Sequence, residues 1–316
     1  MRKQILLLIW LVFLTTNCLP NTAVDLDSTP VTPSTKIAND TALATPSFPS
    51  AQDGTQLDPD LHLPLVSNTE ANSKIWQPQP GLSWQWDLSS ERPSIASEAQ
   101  VYDLDLYVAQ ELLDALKQRG VRLICYISVG SWEAWRPDAA QFPPEVLGKD
   151  YEGWQGEKWL DIRRIDKLAP IVQARLDLCA AKGFDAVEPD NMEVSSNDSG
   201  FPLRVEDERR YALWLAEQAH QRHLAIGMKN AAYLVNDLLP HFEFMITEDC
   251  FARGWCEQAR PFIESNKAVF AAEYTDQWTT AQFQSQVCPQ AIAWSFSAIL
   301  KERLLNSWKM DCQDTQ

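Results

Sequence analysis

Lys182-Gly183-Phe184-Asp185-Ala186-Val187-Glu188-Pro189-Asp190-Asn191 decides how the rest of the chain is read. A glycine after a helix-like segment marks a helix stop. A short apolar run follows and passes abruptly into acids. Helix, glycine, strand and polar end form one unit of an alternating α/β chain. The same order occurs upstream, where Gly120 closes one segment and Val121 opens the next. Working outward, strands are predicted at 83–87, 101–106, 121–128, 185–189, 225–229, 243–247, 268–273 and 291–295. Helices are predicted at 106–119, 167–182, 205–221, 231–239, 255–264 and 280–287. In 205–221, Tyr211, Leu213, Trp214, Leu215 and Ala219 lie on an apolar side, with Glu and Arg elsewhere. Eight strands alternating with helices predict a (β/α)8 TIM barrel, a fold of about 250 residues. The rival is an open doubly wound sheet, weakened because no glycine-rich phosphate loop follows the first strand. The first and second strands are too close for a normal helix between them.

The barrel domain is expected over 73–316. Ahead of it, Met1-Arg2-Lys3-Gln4 and the uncharged run from Ile5 to Leu14 read as a signal peptide over 1–18. That run falls short of the about twenty residues a membrane span needs. Residues 19–72 are rich in Ser, Thr, Pro, Asp and Asn, with Phe48 as their one aromatic, and read as a disordered linker. Cys18 sits where a lipoprotein signal places its modified cysteine, but Leu14 lies four residues before it rather than three. The sequence therefore leaves open a lipid tether through Cys18 and plain secretion. Setting Cys18 aside leaves six cysteines, an even number that suggests disulfides in an exported protein. Cys250 and Cys256 are close enough to clip one loop. Cys125 with Cys179 and Cys288 with Cys312 complete a working assignment. The net charge of -16 disfavours nucleic acid and anionic lipid as partners and suits a cationic substrate. A monomer is expected.

Chemistry in such a barrel sits at the carboxyl ends of the strands. Those ends carry Asp87, Asp105, Ser128, Glu188 with Asp190 and Asn191, Lys229 with Asn230, Glu248 with Asp249, Glu273 with Tyr274, and Ser295. Paired carboxylates on separate strands are what glycoside hydrolysis requires. Trp84, Trp86, Trp132, Trp135, Trp154, Tyr126 and Tyr274 are near those ends to stack on sugars. Other chemistries fit less well. With four histidines there is no HExxH motif, and the turn at Ser128-Val129-Gly130-Ser131 lacks the glycine of a nucleophile elbow. The cysteine spacings match no zinc pattern. No metal and no cofactor are expected.

Several stretches then resemble glycoside hydrolase family 114. They are Cys125-Tyr126-Ile127-Ser128-Val129-Gly130-Ser131-Trp132-Glu133, Gly153-Trp154-Gln155-Gly156-Glu157 through Arg163, and Lys182 through Asn191. Gly200-Phe201-Pro202-Leu203, Lys229-Asn230, Glu248-Asp249-Cys250-Phe251 and Lys267 through Tyr274 continue the likeness in the right order. The resemblance implies a barrel with endo-α-1,4-polygalactosaminidase activity on a galactosamine-containing exopolysaccharide. It places the catalytic acids on Asp190 and Glu248, with Asp190 as nucleophile and Glu248 as acid/base. Trp84, Asp87, Tyr126, Glu188, Asn191, Lys229, Asn230, Glu273 and Tyr274 are the expected substrate-binding residues. The alternatives are a non-catalytic binder of amino-sugar polymers and a hydrolase of another such polymer.

Overall fold

The structure is a computed structural model that describes residues 75–312. The expected signal peptide, linker and Cys18 lie outside the described residues. All described residues fall within the second of the chain's two units, 67–316.

Eight parallel strands curl in sequence order: β1 (Trp84–Asp87), β2 (Val101–Asp105), β3 (Arg122–Ser128), β4 (Ala186–Asp190), β5 (Ala225–Lys229), β6 (Phe244–Glu248), β7 (Val269–Tyr274) and β8 (Ser297–Lys301). Helices α1 (Gln110–Gln118), α2 (Ile165–Lys182) and α3 (Val205–His220), with shorter helical pieces later, cover the outside. This is the α/β barrel architecture that the alternation predicts. The pairing register decides which side chains face in. Trp86 pairs with Asp103, Asp103 with Ile124, Ile124 with Ala186 and Ala186 with Ala225. Successive strand residues point to opposite faces, so Asp105, Tyr126, Glu188, Asp190, Lys229, Glu248 and Tyr274 also point inward.

Trp84, Trp86, Val101, Ile124, Phe244, Ile246, Phe270 and Ile299 fill the barrel interior. Large rings come from β1, β6 and β7, while β4 and β5 supply Ala186, Ala225 and Gly227. A Cβ on Gly227 would meet the Phe244 ring at 2.3 Å, so glycine makes room for that ring. A second core lies between strands and helices, where Leu104, Leu123, Val187, Met245 and Leu300 meet Leu113, Ile171 and Leu215.

Among the described residues no main-chain ladder joins β8 to β1. Side chains bridge the seam instead. The Trp84 indole donates to the Ser297 carbonyl at 2.8 Å, and Lys301 Nζ donates to Gln85 Oε1 at 3.0 Å. A short strand, Met310–Asp311, runs antiparallel along β8. Cys125–Cys179 ties β3 to α2, Cys250–Cys256 clips the loop after β6, and Cys288–Cys312 anchors the final segment.

The last strand corrects the sequence reading. Residues 291–295 close a helical stretch running from Thr280 with a π-turn at Phe283–Val287, and β8 begins at Ser297. Both segments are short apolar runs, which periodicity alone does not separate. Ile292 is half exposed and Ser295 has φ 59°, a helix-ending conformation. The sequence also gave no sign of an antiparallel sheet between β3 and α2, built from Ser131–Glu133, Leu147–Asp150 and Glu157–Leu160.

Candidate active site

Three consecutive strands end in a charged, inward-pointing residue followed by a residue with a left-handed backbone. They are Asp190 before Asn191 (φ 63°), Lys229 before Asn230 (φ 47°) and Glu248 before Asp249 (φ 52°). Asn and Asp tolerate that conformation better than other non-glycine residues. The chain therefore turns off the barrel immediately after each charge and leaves it at the mouth. A similar economy holds at Gly130, where a Cβ would sit 1.6 Å from the Asn191 carbonyl oxygen.

The three charges meet. Lys229 Nζ lies 2.8 Å from Asp190 Oδ1, 2.8 Å from Glu188 Oε1 and 3.1 Å from Glu248 Oε2. It sits 4.7 Å from the centre of the Trp86 ring and is 2% exposed. Burial pulls the lysine down, but Asp190, Glu188 and Glu248 outweigh it and hold the ammonium well above its ordinary value. Burial pushes Asp190 up, yet Lys229 with the hydrogen bonds from Tyr126 and the Asn191 N–H keeps its carboxyl below the usual value. Tyr126 Oη donates to Asp190 Oδ2 at 2.8 Å. Burial and the neighbouring Asp190 raise that phenol well above its usual range, so it stays a donor. Glu248 accepts from the Tyr274 hydroxyl, and Asn230 Oδ1 accepts from the Glu248 N–H at 2.8 Å. The Asp190 side chain is 18% exposed and that of Glu248 28%, so both open onto the cavity above.

That cavity holds about 1230 Å³. Eight carboxylate side chains and four cationic ones line it. Arg136 joins Asp105 at 2.6 Å and Glu133 at 2.7 Å, and Arg303 joins Asp249 at 2.8 Å. Glu157 and Glu193 differ from these. Glu157 accepts from Ser131 Oγ at 2.7 Å and Glu193 from the Ala231 N–H at 3.1 Å. Among the described residues neither has an ion-pair partner. Burial pushes each to about 7, with Asp190 adding to both and Glu248 to Glu193. Trp135 and Trp154, 55% and 53% exposed, stand at the rim.

Of the expected site residues, Asp190, Glu248, Tyr126, Asn191, Lys229, Asn230 and Tyr274 line this cavity. Four do not, and register explains why. Trp84 faces inward but lies deeper, fully buried in the barrel core. Asp87 and Glu273 point to the outer face. Asp87 accepts from Ser89 and Ser307, and Glu273 accepts from the N–H groups of Phe251 and Ala252 and from the Trp278 indole. Glu188 lies below Lys229 with no exposure. The sequence reading missed Glu157 and Glu193 as cavity acids because they lie in the connections between barrel strands, outside the predicted strands and helices. Asp103, fully buried beneath the site, falls inside the strand predicted at 101–106, where the sequence pattern marks it no differently from its neighbours.

Residues 66–316 match the model of glycoside hydrolase family GH114. The crystal structure of Aspergillus fumigatus Ega3 in complex with galactosamine is 33% identical with a TM-score of 0.72. That match covers 76% of this chain and 98% of the Ega3 chain. The glycoside hydrolase domain of PelA from Pseudomonas aeruginosa shares the fold at 14% identity and a TM-score of 0.59, over 72% of this chain and 97% of that one. No curated protein sequence matches the chain. Taken with a barrel whose mouth gathers two carboxylates on one buried lysine, the match over most of its length means that the chain belongs to glycoside hydrolase family 114 and is a glycoside hydrolase.

Proposed function

We propose that the chain cleaves internal α-1,4 linkages of a galactosamine-containing, at least partly deacetylated exopolysaccharide, using Asp190 as nucleophile and Glu248 as acid/base. The observation that carries this reading is the convergence of both carboxylates on Lys229 beneath an open acidic cavity. The linkage follows the family resemblance, and the amino sugar follows the galactosamine bound to Ega3.

The chemistry needs two steps. Asp190 attacks the anomeric carbon while Glu248 gives its proton to the departing glycosidic oxygen, forming a glycosyl ester on Asp190. Glu248 then takes a proton from water, which displaces Asp190 and restores both groups. Asp190 suits the first role because Lys229 and Tyr126 keep it ionised. The two lysine contacts cap the gap between the nearest carboxylate oxygens at roughly 6 Å, which favours retention, for which about 5–5.5 Å is typical, over inversion at about 6.5–9.5 Å.

Substrate charge is read by Glu157 and Glu193. Each is a cavity acid beside the reacting centre with no ion-pair partner among the described residues, so a sugar ammonium supplies one. Trp135 and Trp154 extend the site along the polymer by stacking on sugar faces. Export of the chain is supported by its three disulfides, which fit an oxidising compartment. No helix among the described residues is long and apolar enough to cross a membrane.

Digestion of defined amino-sugar polymers, read by mass spectrometry, tests the reading. Internal cleavage of α-1,4-galactosamine polymer is expected, falling as acetylation rises. Glu157→Gln and Glu193→Gln are expected to weaken that preference. Preferential cleavage of a glucosamine polymer, or of the fully acetylated chain, would overturn the substrate assignment.

A further inference from the structure

Four carboxyl groups surround the single lysine under the cleft. Glu188, Asp190 and Glu248 contact its ammonium directly. The fourth, Asp103, points inward from β2. It pairs in the sheet with Trp86 on β1 and Ile124 on β3, neither of which brings a charge. The titratable groups that act on Asp103 are Glu188 and Asp190 from β4 and Lys229 from β5. Tyr126 on β3 and Glu248 on β6 reach the same cluster through their contacts with Asp190 and Lys229.

Asp103 and Glu188 are both fully buried. Among the described residues, no N–H or neutral O–H donates to either oxygen of Asp103 or to Oε2 of Glu188. Both side chains nevertheless point inward from β2 and β4 into the same cluster, and each acts on the other's titration. Two ionised carboxylates in contact, away from water, are strongly disfavoured. One proton removes the difficulty, because it turns an acceptor into the missing donor. We infer that Asp103 carries that proton, donates it in a hydrogen bond to Glu188, and with Glu188 forms a positioning pair that holds Lys229 against Asp190 and Glu248. Burial, followed by the charge of Glu188, raises Asp103 well above the usual carboxylate range and agrees with that placement.

The consequence is a division of the lysine's charge. Glu188, with one oxygen engaged by Asp103, presents the other to Lys229 and anchors the ammonium from below. Asp190 and Glu248 take it from above. Without the Asp103 donor, Glu188 has an uncompensated buried oxygen and competes more strongly for Lys229, drawing it away from the reacting pair.

Infrared spectroscopy and kinetics of the folded chain test this, comparing wild type with Asp103→Asn and Asp103→Ala. At pH 7 the wild-type minus Asp103→Asn difference spectrum is expected to show a protonated-carboxyl C=O band, the bands of Glu157, Glu193 and Glu248 cancelling between the two proteins. The amide still donates to Glu188, so Asp103→Asn is expected to keep kcat within about threefold of wild type and the acidic limb of its pH profile in place. Asp103→Ala is expected to lose about ten- to a hundredfold in kcat, with little change in KM and a displaced acidic limb. Absence of that difference band overturns the inference. So does Asp103→Asn losing as much kcat as Asp103→Ala while folded, since that would require an ionised aspartate. If Asp103→Ala does not fold, the band and Asp103→Asn still decide. The kinetic measurements rest on the proposed function, but the spectroscopic ones do not. A wild type that shows the band but leaves galactosamine polymer uncut refutes the function and spares the pair.

Discussion

Replacing Lys229 with methionine removes the buried cation that Glu188, Asp190 and Glu248 share. Its contacts of 2.8, 2.8 and 3.1 Å are each worth several kcal/mol in gross Coulomb terms at an effective dielectric of about 20, much of it offset by the cost of burying the ammonium. Removing one partner of a buried ion pair typically costs about 3–5 kcal/mol. For a domain of this size that is a fall in Tm on the order of 10 °C. The sign of the pH dependence follows from Asp190. In wild type its pKa is depressed, so it contributes stability above its unfolded pKa that is lost as pH falls. Without the lysine, only the hydrogen bonds from Tyr126 and the Asn191 N–H oppose burial, so that pKa rises and the variant is penalised as pH rises. The gap in Tm between wild type and Lys229→Met is therefore expected to widen from pH 5 to pH 8. Thermal unfolding by circular dichroism at the two pH values measures it, and polymer hydrolysis is expected to fall by at least about a hundredfold. A variant whose Tm lies within 2 °C of wild type, by a rough threshold on that scale, or whose gap ignores pH, would refute the electrostatic role given to the lysine.

Three further outcomes are expected. Trp135→Ala and Trp154→Ala raise KM for long polymers by about fivefold or more, with little effect on short oligomers, as comparative kinetics would show. Glu157 and Glu193, raised by burial to about 7, stabilise the fold fully below their unfolded values, and that contribution is lost as pH rises through about 7. Wild-type Tm therefore falls between pH 5 and pH 8, and Glu157→Gln and Glu193→Gln make the decline shallower in a fluorescence melt. Proton NMR of the first product is expected to show the α-anomer before mutarotation, as retention of an α-linkage requires.

Much of this architecture is legible in the residues themselves. Gly120 and Gly183 punctuate the α/β alternation, and the abrupt passage from Val187 to Asp190 marks a strand end. The three acids and bases that define the mouth, Asp190, Lys229 and Glu248, are each the last residue of a strand, where barrel chemistry is expected. What escapes a linear reading is parity. Asp87, Glu188 and Glu273 also sit at strand ends, but a shift of one residue turns a side chain to the opposite face. Asp87 and Glu273 thus hold loops, while Glu188, two residues before Asp190, faces inward one layer too deep. Glu157 and Glu193 escape for another reason: they lie between barrel strands, where no predicted element marks them, and only the tertiary fold brings them beside Asp190. The eighth strand is displaced because 291–295 and 297–301 are both short, mostly apolar runs.

The most direct test of the central claim is the activity of Asp190→Asn and Glu248→Gln on α-1,4-galactosamine polymer, each shown by its melting curve to unfold cooperatively. Cleavage is expected to fall by roughly a thousandfold or more in each variant, since nucleophile and acid/base are both lost from the chemical step. Either folded variant cutting the polymer at close to the wild-type rate would contradict the assignment of the reaction to this pair.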